Sequence, residues 1–483
     1  MRLRGEFRSC GARTGGQMRV DTIVANGRVV SPSGVVDAAI AIRDGRVVAI
    51  GDESVLPEAT ERIDAEGKYV LPGIVDPHVH LGGGRPLSEI FASETACAAV
   101  GGVTTVLQYR RSPSTFLETF PAEFELAQTR MLVDTQFHFI ISTMEQVKEI
   151  PRYAEEFGVT SFKFYMGGYE PGNPIGLVSV NDAVLYAAME HIRDLGPYGW
   201  CMVHCEDDSL VCHLTAQVKA KGGKDLAAYS ESRPDFVEEQ DLLRAIWLAD
   251  LQGCPLYVPH TTVGMAVDAA AESRRKGRVV VLETCPHYLA LTADNPRLSA
   301  EGSGVGKVAP ALRNHEHQAE LWRGLREGWI STIGSDHVPI AKSGKGFWEE
   351  APGFAGLATM LPVVLTEGVL AGRISIEKVV ETMAYNPARL FGLYPRKGTL
   401  QPGADADLVI VDMETEKVVG PDVTQSEYVS AFEGVPLRGW STLTMRRGEI
   451  IYRDGKVLAE PGSGQVIVKP EPDLTKERNW HAA

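Results

Sequence analysis

His78 and His80 stand two residues apart in the segment GIVDPHVHL, and a β-strand, whose side chains alternate between faces, aims both imidazoles at one point. Two imidazoles on one face are half of a metal site. The other half is legible downstream, where Lys163, His204, His260 and Asp336 each sit near the end of an apolar, strand-like run. Each of these residues alone reads more readily as structural. Together they are six side chains from five strand ends, and imidazole and carboxylate suit a divalent ion such as Zn²⁺. The expected chemistry is metal-dependent hydrolysis, with a metal-bridging hydroxide as the nucleophile. Asp336 is the expected general base and acid, taking the proton as attack proceeds and returning it to the departing nitrogen.

Lys163, in SFKFYMGG, discriminates further. A protonated amine cannot ligate a metal, and burying one among Phe162, Phe164, Tyr165 and Met166 is costly unless its charge is removed or paired. Desolvation lowers the amine's pKa, and the neutral amine can add CO₂ to give a carbamate with two oxygens. Such a bridge, with a hydroxide and one aspartate, would cut the formal charge of two divalent ions from about +4 to about +1. On local sequence alone, a lysine snorkelling or ion-paired at a strand end is the competing reading.

Residues that converge from strand ends need a frame that brings strand ends together. From about 71 to 395, strands and amphipathic helical stretches alternate, the pattern of a parallel α/β architecture. Eight strand candidates can be counted: GIVDPHVHL, GVTTVLQY, TQFHFIIS, TSFKFYM, GWCMVHC, PLYVPH, VVVLETC and STIGSD. Eight is the number that closes a (β/α)8 TIM barrel, whose chemistry sits at the C-terminal rim of its strands. Helical segments such as SETACAAV, VLYAAMEHI, DLLRAIWLAD, AVDAAAESRR and AELWRGLREG lie between them. The glycine-rich stretch KSGKGFWEEAPGFAG after Asp336 reads as a loop over the barrel mouth.

Outside the barrel, residues 18–70 read as short strands punctuated by Asn26-Gly27, Asp44-Gly45 and Glu66-Gly67, and the same texture returns over 396–461 with Asp454-Gly455 as a turn pair. Neither end buries enough alone, so the two are expected to pair into one small β-sandwich. Residues 1–17 read as a disordered extension without the apolar stretch of a secretory signal, and 462–483 as a tail rich in Pro, Lys and Glu.

A net charge of -15 argues against nucleic-acid partners and a polybasic membrane anchor, and no run approaches the roughly 18 apolar residues of a membrane span. A small-molecule substrate is expected. Seven cysteines without CxxC spacing point to reduced thiols in a cytoplasm, with Cys201, Cys205, Cys254 and Cys285 read as small apolar packing.

As a set, LPGIVDPHVHL, the lysine of FKFYM, VHCED, the histidine of YVPHTT, ETCPHYL, KVAPALR, GSDHVP, NPARLFGLYPRKGTLQPGADADLVIVD and RRGEIIYRDG resemble the cyclic-amide branch of the amidohydrolase superfamily, which contains dihydropyrimidinase (hydantoinase), allantoinase and dihydroorotase. The resemblance runs from about 19 to 460. It implies opening of a cyclic amide or imide ring, with His78 and His80 on the more buried ion, His204 and His260 on the other, carboxylated Lys163 bridging them and Asp336 as ligand and base. It also implies a homotetramer or dimer, the tail reaching a neighbouring subunit.

Departures from the family pattern bear on the substrate. Dihydroorotases carry an arginine two residues after the HxH pair, where this chain has Gly82. Hydantoinases place a tyrosine five residues after the bridging lysine; here Gly168 stands there, between Tyr165 and Tyr169, either of which is a candidate to replace it, with packing as the alternative. CPHYL is nearer to allantoinases and dihydroorotases, and APALR stands where hydantoinases have SPPLR, so the subtype is mixed. Arg110 and Arg111 follow the second strand, and either, if turned inward, could hold a carboxylate or imide edge. His287 and His337 are read as supports around Asp336, and His315 and His317, at a helix start, as solvent-exposed. The alternatives are an allantoinase or another dihydroorotase-like cyclic amidase, a single-metal deaminase, which would not need Lys163, and a non-enzymatic dihydropyrimidinase-like protein, which would not need the ligands.

Overall fold

The computed structural model describes residues 19–82, 84–167, 177–298 and 304–468. Among them, eight parallel strands follow one another in chain order: Ile74–Val79, Val103–Arg111, Asp134–Ile140, Ser161–Tyr165, Trp200–His204, Leu256–Val258, Val280–Thr284 and Ile330–Ile333. Each matches one of the eight segments expected from the sequence. The circle is drawn together where Val79 pairs with His337 and the His80 N–H donates to the His337 carbonyl at 2.8 Å. The fold is thus a (β/α)8 barrel.

Alternation along the strands divides the apolar residues into two cores. Leu107 and Tyr109 of the second strand join Val75, Trp200, Met202, Tyr257, Val281 and Phe391 in a cluster inside the barrel. Val106 of the same strand faces a larger cluster shared with the outer helices, which include Leu87–Val100, Asp182–Arg193, Asp235–Gln252, Met265–Arg275 and His315–Glu327. Strands buried on both faces must be apolar on both, hence their near-continuous runs. Helix ends follow local chemistry: Asn181 and Asn314 accept backbone N–H groups at the N-termini of Asp182–Arg193 and His315–Glu327, and Gly158 and Gly328, at φ 66° and 80°, end Met144–Phe157 and His315–Glu327 in the left-handed region.

The two chain ends meet in one sheet. Val20–Ser31 and Tyr69–Pro72 from the N-terminal side join Leu408–Asp412 and Trp440–Arg446 from the C-terminal side, Leu408–Asp412 pairing antiparallel with both Tyr69–Pro72 and Trp440–Arg446. Val24, Ile40, Val70, Leu408, Ile410 and Leu443 share its apolar cluster. A buried ionic knot ties this sheet to the foot of the barrel: Lys397 Nζ lies 2.6 Å from Asp134, 2.7 Å from Asp407 and 3.0 Å from Asp405, and Arg447 also pairs with Asp134.

The start of the C-terminal tail runs beside the third barrel strand of its own chain, Val466 pairing with Thr135 and the Gln465 N–H donating to Asp134 at 2.9 Å. The expected extension 1–17 and the tail beyond 468 lie outside the described residues. Among the described residues no helix is long and apolar enough to cross a membrane.

Candidate metal centre and substrate cavity

The six expected ligands fall at the C-terminal ends of their strands and gather as two facing groups of three. In the first, His78 Nε2 lies 3.1 Å from His80 Nε2 and 3.2 Å from Asp336 Oδ1, and His80 Nε2 lies 3.4 Å from the same oxygen. In the second, His260 Nε2 lies 3.0 Å from Lys163 Nζ and 3.1 Å from His204 Nδ1. The imidazoles of His78 and His260, one from each group, are 5.3 Å apart between ring centres.

Which nitrogen each histidine offers is set by what the other nitrogen does. Glu283 Oε1 lies 2.6 Å from His78 Nδ1, so that nitrogen carries the proton and leaves the Nε2 lone pair directed at His80 and Asp336. Glu206 Oε2, 2.9 Å from His204 Nε2, leaves Nδ1 directed at His260. Three lone-pair donors converging without a proton to share among them suit a cation. His78, His80 and Asp336 form a group able to hold a metal ion, their donor atoms all within 4.8 Å of one another. The second group fits one as well, once its lysine is neutral or an anion.

Electrostatics favours that change at Lys163. Burial holds its ammonium down to about 8, against a partial counter-pull from Asp336. His80 is held to about 4, chiefly by burial, and His260 is driven well below the usual imidazole range by burial and the charge of Lys163. Burial alone would raise the Asp336 carboxyl, but the charge of His78 and the hydrogen bond from His80 outweigh it and keep it well below the usual carboxylate range. His80, His204 and His260 are thereby held neutral and Asp336 ionised, the protonation states that ligands require.

The backbone is shaped to the same end. His260 and Asp336 have φ of 41° and 46°, a left-handed conformation that costs a non-glycine residue roughly 1–2 kcal/mol. Gly334, two residues before Asp336, admits the close approach of the first strand: a Cβ there would lie 2.7 Å from His78 Cβ and 2.9 Å from the Glu283 carboxylate. Asp76 Oδ1 accepts from the N–H groups of His78 and Ser335, both at 3.0 Å, fixing the two ligand-bearing turns to each other. Burial pushes the Asp76 carboxyl up to about 6.

Above the ligands lies a cavity of about 610 Å³ lined by His80, Tyr109, Tyr165, His260 and Asp336, with Leu81, Leu87, Ile140 and Leu177 among its apolar walls, a size suited to a small molecule. Tyr165 is buried, its ring 5.1 Å from Lys163 Nζ, and Tyr169 lies outside the described residues. Of the two candidate arginines, Arg110 is paired with Glu123 at 2.6 Å and Arg111 is exposed; both line the cavity. The loop after Asp336 contributes Val338, Ile340, Pro352 and Gly353 to the wall.

His337 Nδ1 accepts from the Gly356 and Leu357 N–H groups, a support for that loop. His287 is buried, its ring 5.0 Å from that of Phe354. His315 is exposed, but His317 differs from expectation: it is half-buried and its Nδ1 accepts from the Gly264 N–H at 3.0 Å. The expected packing cysteines, Cys201, Cys205, Cys254 and Cys285, are buried free thiols. Glu283, Asp76 and Glu206 were not singled out from the sequence. The available signal was an acidic residue inside or directly after an apolar strand that also bears a ligand or flanks one.

Comparison with known proteins agrees over nearly the whole chain. It is 36% identical to the L-hydantoinase of Paenarthrobacter aurescens over 94% of this chain and all of that protein. It is 33% identical to the D-hydantoinase of Geobacillus stearothermophilus, over 92% of this chain and 96% of the relative. The solved structure of L-hydantoinase (dihydropyrimidinase) from Arthrobacter aurescens superposes with a TM-score of 0.84 at 37% identity, covering 92% of this chain and 99% of that one. The sequence model of the amidohydrolase family matches residues 69–451. With that match and these relatives, the chain belongs to the amidohydrolase family, in its cyclic-amide branch.

Proposed function

We propose that this protein hydrolyses a carbon–nitrogen bond of a cyclic amide or imide, a ring of the hydantoin or dihydropyrimidine type, with two divalent metal ions, zinc being the ion its nitrogen and oxygen donors suit best. The observation that carries this reading is the pair of facing three-residue groups, joined through Glu283, beneath a cavity of small-molecule size. His78, His80 and Asp336 would hold one ion and His204 and His260 the other, with Lys163 between them as a carbamate. Bound ions would supply a water ionisable near neutral pH and positive charge for the substrate carbonyl.

The chain's own residues do the rest. Asp336, held ionised, accepts a proton at a carboxylate oxygen and passes it to the ring nitrogen as the carbon–nitrogen bond breaks. Lys163 reaches the site as an amine that burial readily deprotonates; loss of N–H to a base and attack on CO₂ give the carbamate and release one proton. Glu283 and Glu206 hold His78 and His204 in the tautomers that face the site. Tyr109 and Tyr165 both line the cavity beside Lys163, and Tyr165 would bond a substrate oxygen. Resemblance to the family also supports a homo-oligomer, dimer or tetramer, and the buried free thiols support a reducing cytoplasm.

A panel of hydantoins, dihydropyrimidines, allantoin and cyclic imides, assayed for ring opening by protein loaded with zinc, manganese or iron, tests the reading. Ring opening abolished by chelator supports it. A panel left intact by every metal-loaded form would contradict it.

A further inference from the structure

Strand alternation sends the two neighbouring arginines in opposite directions. Arg110 stays in the cavity wall but is tied to the helical layer: its Nε donates to Glu123 on the helix Phe116–Arg130 at 2.6 Å, its Nη1 donates to the Leu81 carbonyl at 2.6 Å, and its guanidinium lies 5.7 Å from the Phe91 ring centre. Its register partner Phe139 belongs to that same outer core. Tyr109 and Arg111, one residue to either side, share the other face. Tyr109 is buried inside the barrel, stacked on His80 at 5.0 Å.

Register places Arg111 on the row of the site itself. Arg111 pairs with Ile140, an inner-core residue, and Ile140 pairs with Lys163 on the next strand. Two strand spacings put the backbones of Arg111 and Lys163 about 10 Å apart, within reach of an arginine leaning over the mouth. Arg111 lines the cavity beside Tyr109 and Tyr165.

We infer that Arg111 recognises an anionic substituent on the substrate ring, so that the preferred substrates are cyclic amides carrying a carboxylate, while Arg110 is a positioning residue that holds the turn following His80. A guanidinium at the rim of a cleft both steers an anion inward and pairs with it in two-pronged fashion. This rests on the proposed ring-opening activity for its setting but not for its readout.

The test uses the full-length metal-loaded protein and two substrates with one ring, bearing either a carboxymethyl group or the neutral carbamoylmethyl group of matching shape. The wild-type protein is expected to favour the acid in kcat/KM, and Arg111→Met to lower the acid-to-amide ratio tenfold or more, with Arg111→Lys in between and added salt eroding the wild-type preference. An equal ratio in the wild-type and Arg111→Met proteins, or a wild-type preference for the amide, would overturn the inference. If neither ring is opened, the proposed function fails, and calorimetric titration of the same two compounds still decides the question. Tighter binding of the acid, lost in Arg111→Met, supports recognition; equal binding refutes it.

Discussion

Lys163 Nζ lies 3.0 Å from Nε2 of His260, and both groups are cut off from solvent. Two cations could not share that distance in a buried site, and the charge of Lys163 lowers the hold of His260 on a proton beyond what burial already does. The pair is stable only when at least one member is neutral, which is also the state in which a lysine can be carboxylated and a histidine can ligate.

That relationship sets a pH dependence for assembling the site. With the Lys163 amine titrating at about 8, roughly a tenth of it is neutral one pH unit lower and about nine-tenths one unit higher. Protein stripped by chelator at low pH should therefore regain metal and activity, at a fixed concentration of dissolved CO₂, at a rate that climbs with pH through about 8 and levels roughly one unit above it. Stopped aliquots assayed for bound metal would show this. A rate that is flat or falling from pH 6 to 8 would show that the amine is not the titrating step.

Glu283 spans the two ligand groups: Oε1 meets His78 Nδ1 at 2.6 Å and the His260 N–H at 3.1 Å, while Oε2 accepts from Tyr257 at 2.6 Å. Glu283→Gln keeps the shape but removes the charge that holds His78 in its tautomer. Metal affinity should fall roughly 10- to 100-fold, with a smaller effect on melting temperature. Competition against a chromophoric chelator measures it, and an unchanged dissociation constant would remove Glu283 from this role.

Far from the chemistry, Lys397→Met would leave Asp134, Asp405 and Asp407 buried without the ammonium they share. Breaking a buried ion pair from one side costs about 3–5 kcal/mol, so the variant should unfold at clearly lower urea concentration. Adding Asp407→Asn should recover part of the loss. A variant as stable as the parent would mean that the knot contributes nothing to joining barrel and end sheet.

Much of this was readable in the sequence because each ligand ends an apolar run, a local pattern that survives without knowledge of the fold. The eight strands were found for the same reason. Partners distant in sequence were not: Glu283 lies 205 residues from His78, and Ser335 lies 259 from Asp76, so nothing local marks either contact. The helices Phe116–Arg130 and Met144–Phe157 were not identified, each carrying an internal proline, Pro121 and Pro151, that reads as a break. The directions of Arg110 and Arg111 stayed open because the second strand runs on to Arg111 rather than ending at Tyr109, and alternation sorts the two only once that end is known.

The most direct measurement of the central claim combines metal analysis with ¹³C NMR on protein reconstituted in ¹³C-bicarbonate, for the wild type and for Lys163→Ala. The expected result is two divalent ions per chain and one carbamate resonance in the wild type. In Lys163→Ala both should be lost or reduced, with activity partly restored by short carboxylic acids that fill the gap. Full hydrolysis with a single ion and no carbamate resonance, unaffected by Lys163→Ala, would contradict it.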